Sequence, residues 1–227
     1  MGGVIALAVI RPAAPIVPGS LGIMGGTFDP IHLGHLAAAE EAREVLGLER
    51  ILFVPAGLPP HKAGEPISAP EHRLAMVETA IAGNPAFEVS RVDVDRTGPS
   101  FTVDTVDLIA AAEQHAGRVP DLTFILSVET LRELPTWHEP ERLLDQCRLA
   151  VMPREGYPAP GRAWLSEQFP GREDRVVSLG GARLEISSSA IRERVARGRS
   201  IRYLVPSAVA SYINDHHLYG GGARPRN

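Results

Sequence analysis

Eleven consecutive residues constrain this chain more than any others: Gly25-Gly26-Thr27-Phe28-Asp29-Pro30-Ile31-His32-Leu33-Gly34-His35. An apolar run, 21–24, precedes them, and an Ala- and Glu-rich stretch, 36–46, follows. That order predicts a buried strand, a glycine-rich turn and a helix. Gly25 and Gly26 let backbone approach a ligand closely, and Thr27 adds a hydroxyl. A helix N-terminus offers free N–H groups and the positive end of the helix dipole, which suit phosphate. His32 and His35 are three residues apart near that terminus, so both imidazoles can face one way.

The spacing excludes two other phosphate loops. Gly22, Gly25 and Gly26 do not have the spacing of a dinucleotide fingerprint, and no Gly-Lys-Ser/Thr follows as in a Walker A loop. Two histidines three apart also suit zinc, but no third ligand stands at a telling spacing. The segment reads as a phosphate pocket.

The rest of the chain continues the same alternation. Apolar runs at 51–54, 87–94, 122–126, 148–152 and 175–179 read as strands. Helical patterns at 71–82, 102–115, 140–146, 188–196 and 206–215 separate or follow them, and 55–70 is a long loop with five prolines. This predicts the α/β class, a doubly wound parallel sheet with helices on both faces. In such sheets ligands bind beyond the carboxyl ends of the strands.

The chain has 227 residues, 44% of them hydrophobic, enough for one domain with an ordinary core. Residues 20–219 read as that domain, 1–19 as an N-terminal extension without structure and 220–227 as a flexible tail. The apolar run 4–10 is short and lacks a preceding basic residue, which disfavours a signal peptide. No run reaches the ~18 residues of a membrane helix, so no membrane partner is expected. Lys plus Arg is 23 and Asp plus Glu is 27, a net charge of −4. That argues against a nucleic-acid partner but not against a small anion. The single cysteine, Cys147, excludes an intrachain disulfide and a four-cysteine zinc site and points to a reducing compartment, the cytoplasm. Val205, Val209 and Ile213 serve either the core or a contact between copies in a homo-oligomer.

Other segments carry chemistry of their own. Lys62 in Pro59-Pro60-His61-Lys62 is a mobile point charge in a loop long enough to act as a lid. Thr97-Gly98-Pro99-Ser100-Phe101-Thr102 marks a turn into a helix. Ser100 reads as its cap, and the first-turn amides around Thr102 suit a carboxylate. Trp137 presents an indole face that attracts a flat cation. Arg154 follows the strand 148–152. Ile186-Ser187-Ser188-Ser189-Ala190-Ile191-Arg192 opens another helix with hydroxyls, free amides and a guanidinium, a second phosphate cradle.

Gly-Gly-Thr-Phe-Asp-Pro-Ile-His-x-Gly-His at 25–35 resembles the signature of the nucleotidyltransferases with an HxGH motif. Together with the segments above, from about residue 21 to 219, the chain resembles the bacterial nicotinate-nucleotide adenylyltransferases. The resemblance implies a Rossmann-like doubly wound parallel sheet with a small C-terminal helical part. It implies adenylyl transfer from ATP to nicotinate mononucleotide, giving deamido-NAD and pyrophosphate. It places His32, His35 and Thr27 at the transferring phosphate. Gly25, Gly26, Phe28, Ser188, Ser189 and Arg192 would hold ATP with Thr27 and His35. His61, Lys62, Phe101, Thr102, Trp137 and Arg154 would hold the mononucleotide, with Trp137 on the pyridine ring and the Thr102 amides at the carboxylate. On the adenosine side the family has Gly-x-Asp where this chain has Ser127-Val128-Glu129, so Ser127 and Glu129 take that place. Phe101 stands for a Tyr, Ser189 for a Thr and Glu155 for a Pro. Mg²⁺ would travel on the ATP oxygens, with no ligand from protein side chains.

Two alternatives stay open at this level. One is the same chemistry on the amide mononucleotide or another phosphate acceptor. The other is a nucleotide-binding regulatory protein without activity, which the Ser127 and Glu129 replacements support.

Overall fold

Leu21 and Ile23 point to one side of the first strand, Gly22 and Met24 to the other, and all four are buried. A strand buried on both faces belongs in the middle of a sheet covered by two layers of helices. The computed structural model has that architecture; it describes residues 14–60, 64–154, 156–180 and 184–220. His61, Lys62 and Glu155 lie outside the described residues, as do 1–13 and 221–227.

Among the described residues six strands form one sheet: β1 (Val17–Gly26), β2 (Leu48–Pro55), β3 (Phe87–Val89), β4 (Asp121–Ser127), β5 (Arg148–Met152) and β6 (Val176–Ser178). Their order is β3-β2-β1-β4-β5-β6, and every pairing is parallel. The chain winds outward from β1 through β2 to β3, then returns to the other side of β1 with β4. The crevice beyond β1 and β4 is therefore the topological switch point, where α/β sheets bind ligands. α1 (Leu33–Leu46) begins there.

The helices divide between two cores. On one face Met24, Phe28, Ile51 and Phe53 pack with Met76 and Val77 of α2 (Pro70–Ile81) and with Ile191 of α8 (Ser188–Ala196). Val205, Val209 and Ile213 complete this core with α9 (Ser207–Asp215), so the stripe left open by the sequence is interior. On the other face Leu21, Ile23 and Val54 pack with α4 (Thr102–His115) and α6 (Pro140–Gln146). Gly22 belongs to the first face, where it makes room: a Cβ would stand 2.4 Å from Ile51 Cδ1 and 2.9 Å from Leu48 Cδ1, so those side-chain ends would have to shift.

The secondary structure differs from the sequence reading in three places. Residues 14–19, assigned to the extension, are part of the fold. The Ala14 amide donates to Glu44 O at 2.9 Å, the Val17 amide donates to Gly47 O at 2.8 Å, and β1 starts at Val17. The strand expected over 87–94 stops at Val89 and gives way to α3 (Val92–Asp95). The cause is tertiary: the buried Asp93 carboxylate accepts from Thr105 Oγ1 and from Arg96 Nε, both at 2.8 Å, which a strand could not arrange. α5 (Val128–Glu133) and α7 (Arg162–Gln168) are helices that no periodic pattern announced. Among the described residues no helix is long and apolar enough to cross a membrane.

Candidate active site

β1 ends in Gly25-Gly26, and α1 begins seven residues later, so the 27–32 loop spans the switch point. A Cβ at Gly25 would sit 3.0 Å from the Phe124 ring of β4, and one at Gly26 would sit 3.0 Å from the Phe28 ring. The glycines thus serve close packing at the strand end as well as open backbone. Phe28 takes φ 51° and turns its ring into the core, where it meets His35 edge-on at 5.1 Å.

His32 is the N-cap residue of α1, and His35 lies in its first turn. The His32 amide donates to His35 Nδ1 at 3.3 Å. A nitrogen that accepts carries no proton, so the neutral His35 ring keeps its proton on Nε2, where it can donate. The two imidazoles stack, with ring centroids 3.7 Å apart and planes 19° from parallel. His32 is only 6% exposed, and its Nδ1 has no hydrogen-bond partner among the described residues. Burial and then the Arg154 charge lower its pKa from 6.5 to about 4. Desolvation and then the neighbouring His32 hold His35 well below its ordinary value. Both shifts favour the neutral ring at pH 7, and a neutral imidazole can donate a hydrogen bond without a formal charge.

The loop is held from three sides. Arg73 of α2 is fully buried and donates to Thr27 O at 2.7 Å, Ser68 O at 3.0 Å and Gly57 O at 3.1 Å. From α8, Arg192 donates to Asp29 O at 2.8 Å and Ser188 Oγ donates to Pro30 O at 2.9 Å. The Asp29 carboxylate, 1% exposed, accepts from the Ser68 amide at 3.2 Å and from the Tyr219 hydroxyl at 2.6 Å. Arg192 NH2 also reaches Ser189 Oγ at 3.3 Å. Ser187 is the N-cap of α8, its hydroxyl accepting from the Ala190 amide at 3.2 Å. The Ser-Ser-Ser-Ala-Ile-Arg segment is therefore built into the wall of the loop that carries the histidines.

Across the crevice, Arg154 pairs with Glu129 at 3.0 Å, which joins two residues expected in different subsites. Ser127 is the N-cap of α5: its hydroxyl accepts from the Thr130 amide at 3.1 Å and bonds Thr130 Oγ1 at 2.9 Å. The extra side chain at this position thus turns into its own helix. A pocket of about 420 Å³ opens beyond β5 and β6, lined by Val128, Met152, Arg154, Tyr157, Ser178 and Leu179. A second, of about 540 Å³, lies between α8 and the 66–68 segment.

On the second face, the N-terminus of α4 has no side-chain cap; its N-cap residue is Phe101. Ser100, expected in that role, instead accepts from the amides of Gly57 at 3.0 Å and Leu58 at 3.3 Å. It stitches the loop after β2 to the start of α4 and leaves the first-turn amides around Thr102 without a side-chain acceptor. Trp137, half-buried, meets Phe124 edge-on at 6.3 Å, and the same Phe124 ring packs close to Gly25. Phe101 packs against His138 at 4.5 Å.

Sequence reasoning missed Arg73, Asp29 and Tyr219. Arg73 had a legible signal: it lies on the same helical face as Met76 and Val77, a charge set into an apolar stripe.

A histidine-bearing helix start at the switch point of this sheet is the arrangement of a nucleotidyl-transfer fold, and the cytidylyltransferase-like family model matches residues 23–194. Two proteins named probable nicotinate-nucleotide adenylyltransferase are close in sequence. That of Roseiflexus sp. is 48% identical, over 88% of this chain and 97% of its own length. That of Thermomicrobium roseum is 47% identical, over 88% and 91%. The chain belongs to the nicotinate-nucleotide adenylyltransferase family. A solved structure, Plasmodium falciparum nicotinic acid mononucleotide adenylyltransferase complexed with APC, shares the fold with a TM-score of 0.69 at 18% identity, over 88% of this chain and 96% of that one.

Proposed function

We propose that this enzyme transfers the adenylyl group of ATP to nicotinate mononucleotide, releasing pyrophosphate and forming deamido-NAD. The observation that carries the reading is the stacked, neutral His32–His35 pair at the start of α1, placed at the switch point of the sheet. A phosphate oxygen of the mononucleotide attacks the α-phosphorus of ATP. A new P–O bond forms, and the bond to the pyrophosphate oxygen breaks. The attacking phosphate has a second pKa of about 6, so it arrives ionised and requires no general base. The protein's part is alignment and stabilisation of growing negative charge.

His35 Nε2–H and the His32 ring are the donors toward the reacting phosphates. The open backbone of Gly25, Gly26 and Thr27, Ser189 and the first-turn amides of α8, and Arg192 would line the rest of the triphosphate. The uncapped first turn of α4 at Thr102 would receive the nicotinate carboxylate, with Phe101 beside it. The Trp137 face suits the cationic pyridine ring. Arg154 would leave Glu129 for the mononucleotide phosphate, freeing Glu129 toward the adenosine side. His61 and Lys62 keep their place in the proposal by the motif alone.

Magnesium fits as a passenger of the triphosphate, where it neutralises phosphate charge and keeps most of its waters; among the described residues no group of three or more His, Cys, Asp or Glu could hold an ion. The test is pyrophosphate release from Mg-ATP with nicotinate mononucleotide and the amide mononucleotide in parallel. Release with the acid form and little with the amide is expected. Release with neither, despite ATP binding, would move the chain to the regulatory reading.

A further inference from the structure

Tyr219 is far from the histidines in sequence but touches the loop that carries them. Its hydroxyl donates to Asp29 Oδ1 at 2.6 Å, and the other carboxylate oxygen accepts from the Ser68 amide at 3.2 Å. Asp29 is 1% exposed and stands three residues before His32. A buried carboxylate needs its partners, because an oxygen left without a donor retains the full cost of desolvation. Tyr219 reaches this position with φ 63°, uncommon for a bulky side chain and retained only where surrounding contacts over-determine it. Its hydroxyl lies 3.9 Å from Met76 Sδ in the first core. Burial, and then the bond to Asp29, push the Tyr219 hydroxyl well above its ordinary range, so it stays protonated and remains a donor.

We infer that Tyr219 is a positioning residue for adenylyl transfer: its hydroxyl pins the Asp29 side chain, and with it the 27–32 loop, to the segment after α9 beside the Asp29 bond to Ser68, and so sets where His32 and His35 meet the triphosphate. The inference rests on the proposed role of those histidines. Arg192 holds the same loop by the Asp29 carbonyl, so the loop is gripped on backbone by α8 and on side chain by the segment after α9. Removing one grip leaves the fold intact and lets the loop drift. Displacements on the order of 1 Å are enough to cost large factors in rate.

Tyr219→Phe removes the donor and keeps the ring. The expected result is a fall in kcat of about tenfold or more, with KM for ATP and nicotinate mononucleotide within about twofold of the parent. Amides of 27–36 and of Ser68 exchange hydrogen faster, and those of β4 and β5 do not change. A cycle with Asp29→Asn gives a double variant no slower than its slower single, because the two groups act as one unit. Tyr203→Phe, at a ring 80% exposed, is the control and keeps its turnover. Turnover of Tyr219→Phe within about twofold of the parent, unchanged exchange in the loop, or losses that multiply in the double variant would each overturn the inference. His35→Ala, measured alongside, separates the two claims: normal turnover there defeats the histidine assignment, while loop exchange still judges Tyr219.

Discussion

Arg73 shows how much one side chain can hold at the mouth of an α/β sheet. Its three bonds go to backbone carbonyls of three separate segments, at 27, 57 and 68. Arg73→Ala leaves those carbonyls without a donor and opens a cavity. The expected loss of stability is about 3 kcal/mol or more, read by urea denaturation; a loss under about 1 kcal/mol would contradict the clamp. His32 makes a separate statement about pH. Its folded pKa is near 4 against 6.5 when unfolded. Between those values the unfolded chain binds the extra proton, so stability falls as pH drops from 6.5 and levels off below 4. At pH 4.5 this group lowers stability by an amount on the order of 2 kcal/mol relative to pH 7. His32→Gln should therefore lose that much less than the parent between the two pH values. Equal losses would mean that the ring is not desolvated as described.

At the scale of elements, the start of α4 shows why a correct helix can carry a misread cap. The expected bounds 102–115 match the helix, because its apolar residues recur at helical spacing. Ser100 was read as the cap from local preference alone, yet its hydroxyl holds Gly57 and Leu58, some forty residues earlier in the chain. Ser100→Ala should raise KM for the mononucleotide several-fold with little change in kcat, since it unmoors the first turn of α4 from the loop after β2. Unchanged KM would contradict that role. α3 was hidden for a related reason. Val89, Val92 and Val94 imitate a strand, and only the buried bonds of Asp93 to Thr105 and Arg96 favour the turn. α5, six residues long, is too short for periodicity to announce. Gly22 was read only as a glycine outside a nucleotide fingerprint; its reason is the neighbouring strand. Gly22→Ala should cost about 1–3 kcal/mol by overpacking against Ile51 and Leu48, measured by denaturant unfolding. A neutral result would show that those side-chain ends give way freely.

For the whole molecule, the alternation of short apolar runs with helical patterns was sufficient for the class of fold, and the strand order follows from the pairings. The candidate site was legible to the extent that its residues sit in contiguous motifs: His32 and His35 stack at the head of α1, and Ser188 and Arg192 bond the loop that leads into them. What the sequence did not show is the layer that holds the motifs, Arg73, Asp29 and Tyr219, because the bonds Ser68–Asp29, Arg73–Thr27 and Tyr219–Asp29 join residues 39 to 190 apart. The central claim is that a neutral histidine pair at the head of α1 drives adenylyl transfer by donating to the reacting phosphates. The most direct measurement is the turnover of His35→Ala in pyrophosphate release, at saturating ATP and nicotinate mononucleotide. The account predicts a loss on the order of 10²-fold or more, with the variant still folded. Turnover equal to the parent's would contradict it.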